Sequence, residues 1–183
     1  KNEFTAKASE KLAMTLVNDK KVIDFIIVGL GDKAKLDCKN MTENNPEILF
    51  VSRSKENNGI RKIVDKIEGI IPYKKGNLTL ALGGAYLGSC YVQNKDFYTS
   101  QNVIVLEPTW NMSKNIKEFL KTIIFKEAQL YYKAFDDELN RHIKTDFSIP
   151  LPVNNTGTPN WEYMENYIKN LEKKVKEKIE KII

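Results

Sequence analysis

A proline-marked break at residues 149–152 separates two parts of this chain that have different hydrophobic periods. Pro150 and Pro152 interrupt helix formation, and residues 154–159 form a turn-rich connector. Beyond the connector, apolar residues recur at spacings of three and four, and lysine and glutamate fill most other positions. The residues of this heptad seam are Trp161, Met164, Ile168, Leu171, Val175, Ile179 and Ile182. Because the seam is the helix's only apolar face, we predict a long coiled-coil-type helix that needs a partner; the alternative is an amphipathic helix lying on the domain.

Before the break, the chain is predicted to be rich in β-structure. Short β-branched and aromatic runs alternate with turn-forming segments such as residues 56–59 and 74–77. The predicted strands lie at residues 22–28, 48–52, 60–64, 78–82, 89–93 and 103–106. Glycines in residues 83–88 lack the Lys-Ser/Thr pair of a phosphate-binding P-loop and are predicted to form a bend between two strands.

Two further helices are predicted in the same part of the chain. Ser113 is a plausible N-cap for a helix whose apolar stripe runs from Ile116 to Tyr131 and faces the core. Residues 5–20 have the spacing of a short amphipathic helix, through Ala8, Leu12, Ala13 and Leu16. The predicted fold class is therefore α+β: a β-rich body with packed helices, followed by the long C-terminal helix.

The positive charge is concentrated in one segment. The chain has 183 residues, 42% hydrophobic and 29% charged, which is typical of a globular protein with one main domain. It carries 29 Lys and Arg against 24 Asp and Glu, a net charge of +5. Residues 53–75 hold seven of these bases and only three of the acids. A nucleic-acid contact is therefore expected there rather than over the whole surface.

The composition also excludes several kinds of site. His142 is the only histidine, so no site can use two histidines, and we predict a structural or solvated role for it. The acids Asp136, Asp137 and Glu138 are predicted to be a solvated helix face, and no metal site is expected. With two cysteines, no secretory leader and no apolar run long enough to span a bilayer, we expect a cytoplasmic protein.

One motif favours a different function. Residues 25–34 have the form of a strand running into GxGxxA, so Gly29, Gly31 and Ala34 could approach a dinucleotide pyrophosphate. No clear second strand ending in an acidic residue follows. A nucleotide-cofactor enzyme is therefore kept as an alternative, as is a helical interaction adaptor that uses the C-terminal helix.

The segment at residues 50–62 combines the side chains that read DNA. Arginine can pair bidentately with guanine and asparagine with adenine, while lysine and serine suit phosphates. The candidate contacts in this segment are Arg53, Lys55, Asn57, Asn58, Arg61 and Lys62. Lys74, Lys75 and Lys95 are predicted to neutralise phosphates. The alternative is a solvated hairpin with ordinary Asn-Gly turn chemistry.

This segment also resembles part of a known family. Residues 50–60 (FVSRSKENNGI) resemble the opening of a target recognition domain from the DNA-specificity (S) subunits of type I and related type II restriction–modification systems. The similarity continues through six further segments: residues 76–81 (GNLTLA), 83–89 (GGAYLGS), 97–103 (FYTSQNV), 106–108 (LEP), 149–153 (IPLPV) and 157–164 (GTPNWEYM). Together these segments extend the resemblance from about residue 22 to the end of the chain.

The resemblance implies a reader of DNA without catalytic activity. It would comprise an N-terminal helical lead-in at residues 1–21, a recognition domain at 22–152, and a connector with a spacer or dimerisation helix at 153–183. Such a domain docks on the major groove and recognises one half of a bipartite target. A partner methyltransferase carries S-adenosylmethionine and flips the adenine, and cleavage belongs to an endonuclease subunit. The expected partners are duplex DNA, these subunits, and a second copy or second recognition domain, with no membrane and no cofactor in this chain.

Overall fold

The computed structural model describes residues 12–15, 21–22, 25–28 and 36–182. Within these residues the chain forms ten strands and two α-helices. The strands are β1 (Leu12–Thr15), β2 (Lys21–Val22), β3 (Phe25–Val28), β4 (Ile48–Val51), β5 (Ile60–Val64), β6 (Leu78–Ala81), β7 (Cys90–Val92), β8 (Phe97–Thr99), β9 (Val103–Pro108) and β10 (Ser148–Leu151). The helices are α1 (Lys114–Tyr131) and α2 (Trp161–Glu180). The α+β fold class is thus confirmed.

A five-stranded antiparallel sheet forms the centre of the molecule, with strand order β2-β3-β9-β6-β7. Alternate side chains of its inner strands face opposite sides, so both faces can be covered. Leu80 and Ile104 belong to the main core beneath α1. Val103 and Val105 lie in a second core, against a separate three-stranded sheet. This double burial explains why the inner strands read as continuous apolar runs.

The second sheet has three strands in the order β5-β4-β8. β4 pairs with β5 antiparallel and with β8 parallel. Leu49 and Phe97 face the central sheet, while Phe50 and Tyr98 are buried on the opposite face, packed partly by the segment at residues 36–41. Because β4 and β8 are parallel, the loops that follow the two strands leave the sheet at the same end of the strands.

The first turns of α2 pack on α1, and farther along the helix Glu172 lies 4.0 Å from Lys114 of α1. Ser113 caps α1 by accepting a hydrogen bond from the Ile116 amide at 3.2 Å, and its hydroxyl also donates to Glu165 of α2. Met164 is fully buried. The later seam residues are exposed: Leu171, Val175, Ile179 and Ile182. The helix thus lies on the domain at its start and presents an unpacked seam beyond it.

Several predictions about the elements are wrong. Residues 12–15 form a strand, not the predicted helix, because they pair with residues 148–151, where Leu12 lies opposite Leu151. Pro150 fits there because β10 pairs with β1 alone among the described strands, so its missing N–H is not needed. The predicted strand at 22–28 is divided into two, and β8 was not predicted.

The acids at 136–138 follow the end of α1 instead of lying on it. No helix in the described part of the chain is apolar over a length that would span a bilayer. The GxGxxA residues Gly29, Gly31 and Ala34 lie outside the described residues.

Candidate nucleic-acid interface

A cleft of about 460 Å³ lies at the carboxyl ends of β4 and β8. Ser52 and Arg53 follow β4, and Ser100 and Gln101 follow β8; the Ser100 amide donates to the Val51 carbonyl at 2.9 Å and holds the two exits together. The start of β5 and the segment before β4 complete the cleft. Its lining residues are Leu36, Asp37, Cys38, Lys39, Phe50, Ser52, Arg53, Arg61, Lys62, Ser100 and Gln101.

The cleft is cationic, since four bases and one carboxylate line it. Lys62 is neutralised by Glu43, whose carboxylate lies 2.6 Å from its Nζ; this hydrogen bond raises the pKa of Lys62. Arg53 and Arg61 are exposed, and neither forms an ion pair with any residue that the structure describes. Among the described residues, two exposed guanidinium groups at the cleft are thus available to bind an anionic ligand.

Asn57 and Asn58 lie on a tight turn beside the cleft. The turn Asn57–Gly59 has φ values of 44°, 52° and 75°. Gly59 is required there, because an added Cβ would lie 3.1 Å from the Ser52 carbonyl oxygen in a strained conformation. Both asparagine side chains are exposed. The predicted turn chemistry is confirmed, and it places two amide side chains next to the arginines.

The remaining predicted contacts lie elsewhere. The Lys55 ammonium lies 6.0 Å from the centre of the Phe125 ring, so this side chain is directed toward α1. Lys74 pairs with Asp96 at 2.8 Å, and the same carboxylate accepts from the Lys75 amide. These bonds, led by the one from Lys74, lower the pKa of Asp96.

Asp96 directly precedes β8, so Lys74, Lys75 and Lys95 lie at the opposite end of the three-stranded sheet from the cleft. Four residue steps separate Asp96 from Ser100, which is about 13 Å along an extended strand. The structure therefore gathers Arg53, Arg61 and Lys62 at the cleft, with Asn57 and Asn58 on the turn between the two arginines, and separates them from Lys74, Lys75 and Lys95.

Glu138, which the sequence placed among the solvated acids, bonds to the backbone near Arg53. Glu138 accepts hydrogen bonds from the Gly84 amide at 2.6 Å and the Phe135 amide at 3.2 Å, and these lower its pKa, with smaller contributions from the charges of Arg53 and Arg141. Gly84 lies against Arg53, since a Cβ added there would be 3.1 Å from its Nη1. The loop after α1 thus supports the surroundings of Arg53.

Some cleft residues were not predicted. Ser100 and Gln101 could have been found, because they are polar and directly follow an apolar strand. Lys39 carried no such signal, since it lies in an irregular segment that only the folded chain brings to the cleft. We found no group of three or more His, Cys, Asp or Glu suited to a metal ion among the described residues.

His142 has the structural role that was predicted. Its Nε2 lies 2.8 Å from Asp137 and its Nδ1 lies 2.9 Å from Asp146. The bond to Asp137 is the main reason that the pKa of His142 is raised, with Asp146 contributing. The histidine therefore fastens the loop that follows α1.

Comparison with solved structures supports this fold. The S subunit of a type I restriction–modification system from M. genitalium matches with a TM-score of 0.55 and 13% identity, over 86% of this chain and 39% of that chain. The HsdS subunit from Thermoanaerobacter tengcongensis matches with a TM-score of 0.52 and 14% identity, over 84% of this chain and 38% of that chain. This chain therefore spans about two fifths of the length of those subunits.

A local sequence match and a family model were also found. Over 67 residues the chain is 54% identical to a probable cytosol aminopeptidase of Fusobacterium nucleatum; this stretch is 37% of this chain and 12% of that protein. The model of the type I restriction modification DNA specificity domain matches residues 17–181, which is nearly the whole chain. By this match, the chain belongs to the type I restriction–modification DNA specificity domain family.

Proposed function

We propose that this chain recognises a specific duplex DNA sequence, as the specificity subunit or a half-subunit of a restriction–modification system. The observation that carries the proposal is the cationic cleft with two arginines that form no ion pair with any described residue. Arg53 and Arg61 present planar donor groups that match the acceptors of guanine in the major groove. Asn57 and Asn58 can each donate to and accept from adenine. The serine and glutamine side chains beside them suit sugar and phosphate oxygens.

The cleft cations have two roles in this proposal. Arginines that reach base edges discriminate between sequences, whereas contacts to phosphate supply affinity without sequence preference. Lys39 lies at the cleft on the segment before β4 and is placed to contact phosphate. Lys62 has less charge to offer, since Glu43 already pairs with it. We therefore assign discrimination to Arg53, Arg61 and the asparagines, and affinity chiefly to Lys39.

In this proposal the chain directs a partner adenine methyltransferase and an endonuclease to their target in the cytoplasm and catalyses neither reaction. S-adenosylmethionine would be bound by the methyltransferase subunit, so calorimetry of this chain alone with S-adenosylmethionine should show no binding. The exposed seam residues of α2 from Leu171 onward would pack against a second copy or a second recognition domain. Removing residues 171–183, which leaves the buried Met164 in place, should abolish that assembly and leave a weaker affinity for DNA.

Selection from a random duplex library, with the methyltransferase partner present, tests the proposal. An enriched motif is expected. Arg53→Lys keeps the charge and loses the planar fork, so it should relax preference at one base pair by about 1–3 kcal/mol while leaving affinity for unrelated duplexes unchanged. Arg53→Ala is the matched variant and should lower both the preference at that base pair and the affinity for unrelated duplexes. A selection that enriches no motif would contradict the proposal.

A further inference from the structure

The turn that presents Asn57 and Asn58 has an unfavourable backbone conformation. Three consecutive residues have positive φ values, and two of them are not glycine. Asparagine tolerates the left-handed region better than most residues, but a run of such residues persists only when the surrounding structure holds it. Inside the turn, the Gly59 amide donates to the Glu56 carbonyl at 2.8 Å, and the Gly59 carbonyl accepts from the Ser52 amide at 2.8 Å.

Two side chains from the edge of the central sheet hold this turn from outside. Tyr91 lies in β7, and Gln93 follows two residues later, so both can face the same side of the strand. The Tyr91 hydroxyl donates to the Lys55 carbonyl at 3.0 Å. The Gln93 Nε2 donates to the Asn58 carbonyl at 3.0 Å and to the Thr79 hydroxyl at 3.0 Å. The backbone is thus fixed at both ends of the segment that carries the asparagines.

The burial of the Gln93 side chain is energetically unfavourable. It is 1% exposed, and its Oε1 is buried without a hydrogen-bond partner among the described atoms. A buried acceptor without a partner lowers stability, and an apolar side chain of the same length would avoid that loss. Of the two groups that its amide donates to, the Thr79 hydroxyl also bonds to the Tyr91 carbonyl at 3.4 Å, so the bond to the Asn58 carbonyl is the one that links Gln93 to the turn. Gln93 is therefore better explained by what it does for the turn than by what it does for the core.

We propose that Tyr91 and Gln93 are positioning residues for base recognition: they fix the left-handed turn so that Asn57 and Asn58 meet the bases in one geometry. This inference rests on the proposed function. A turn held in advance loses less conformational entropy on binding and rejects bases that would fit only after it moves. Neither residue needs to touch DNA to determine which sequence is bound.

Two variants of the whole chain test this proposal. Tyr91→Phe removes one oxygen, and Gln93→Met removes the amide at nearly constant length. Tyr131→Phe is the matched control, because Tyr131 is 69% exposed on α1. Affinity is measured by fluorescence anisotropy for the enriched duplex and for a scrambled duplex, over a range of salt. Amide hydrogen exchange of residues 52–59 is followed in parallel.

We expect each test variant to lose about three- to tenfold in affinity for the enriched duplex, the effect of one net hydrogen bond. Affinity for the scrambled duplex and the salt dependence should not change, and the amides of Ser52 and Gly59 should exchange faster. If a test variant leaves the ratio of the affinities for the enriched and scrambled duplexes unchanged, the proposal is overturned. If Gln93→Met fails to fold, Tyr91→Phe decides. If the wild-type chain enriches no motif, the proposed function fails; unchanged exchange at Ser52 and Gly59 in Tyr91→Phe would overturn the inference separately.

Discussion

Replacing Lys39 and Arg61 by alanine should lower the salt dependence of DNA binding, whereas replacing Lys74 and Lys75 should change it little. The sequence predicts Lys74 and Lys75 as phosphate neutralisers, but the structure gives the two ends of the three-stranded sheet different charge. Four bases and one carboxylate line the cleft. The concavity at the other end is lined by two bases and three acids, namely Lys66, Lys74, Glu47, Glu68 and Asp96.

The magnitude follows from counterion release and screening. Each phosphate contact contributes about 0.9 to the slope of log affinity against log salt concentration, so the cleft double variant should lose at least about 0.9, the contribution of Lys39. The other lysines lie about 13 Å away along the strands. That distance exceeds the Debye length of about 8 Å at physiological ionic strength, so they contribute little to binding at the cleft. Lys74 is also already paired with Asp96.

Fluorescence anisotropy of a labelled duplex, measured from about 50 to 300 mM salt, gives both slopes. The cleft double variant should have the shallower slope, and the Lys74→Ala/Lys75→Ala variant should stay within about 0.5 of the wild-type slope. Thermal unfolding of both variants shows that they are folded. If the Lys74→Ala/Lys75→Ala variant loses the slope and the cleft variant keeps it, the cleft is not the DNA-binding surface.

Three further predictions concern single residues. Gly88→Ala should destabilise the fold by about 2–4 kcal/mol in urea unfolding, because its Cβ would lie 2.6 Å from a side chain of α1; Gly69→Ala, with a similar positive φ and no neighbour within 4 Å, should lose only about 1 kcal/mol. Duplex DNA should slow alkylation of Cys38, which lines the cleft, while Cys90 stays unreactive throughout because burial raises its pKa to about 12; equal rates for Cys38 with and without DNA would refute this. The pKa of His142 in the folded protein is raised above 6.5, so its bonds to the two carboxylates stabilise the fold fully below that pH. This stabilisation is lost as the pH rises through the raised pKa. His142→Gln should therefore be more destabilising at about pH 6 than at about pH 9.

Local chemistry was sufficient for most of the elements. The N-cap at Ser113, the apolar stripe of α1 and the Asn-Gly turn at residues 57–59 depend on neighbouring residues, and the structure has each where it was predicted. The strands that were missed or mistaken depend on distant partners. Residues 12–15 become a strand because residues 148–151 lie beside them. β8 is short and is buried in a parallel pair with β4, which no local pattern indicates.

For the candidate site, too, part was determined by the sequence and part by the fold. The sequence by itself determined that positive charge and base-reading side chains gather in residues 53–75, and that a heptad seam follows a proline-marked break. Only the tertiary structure decided which cations act together. The parallel pairing of β4 and β8 places Arg53 and Arg61 at one end of the three-stranded sheet and Lys74 at the other end. It also brought Lys39 to the cleft, Glu138 to the Gly84 amide near Arg53, and Tyr91 and Gln93 to the turn that carries the asparagines. Contacts between residues far apart in the chain depend on how the sheets stack, and the order of residues along the chain does not encode that in any local pattern.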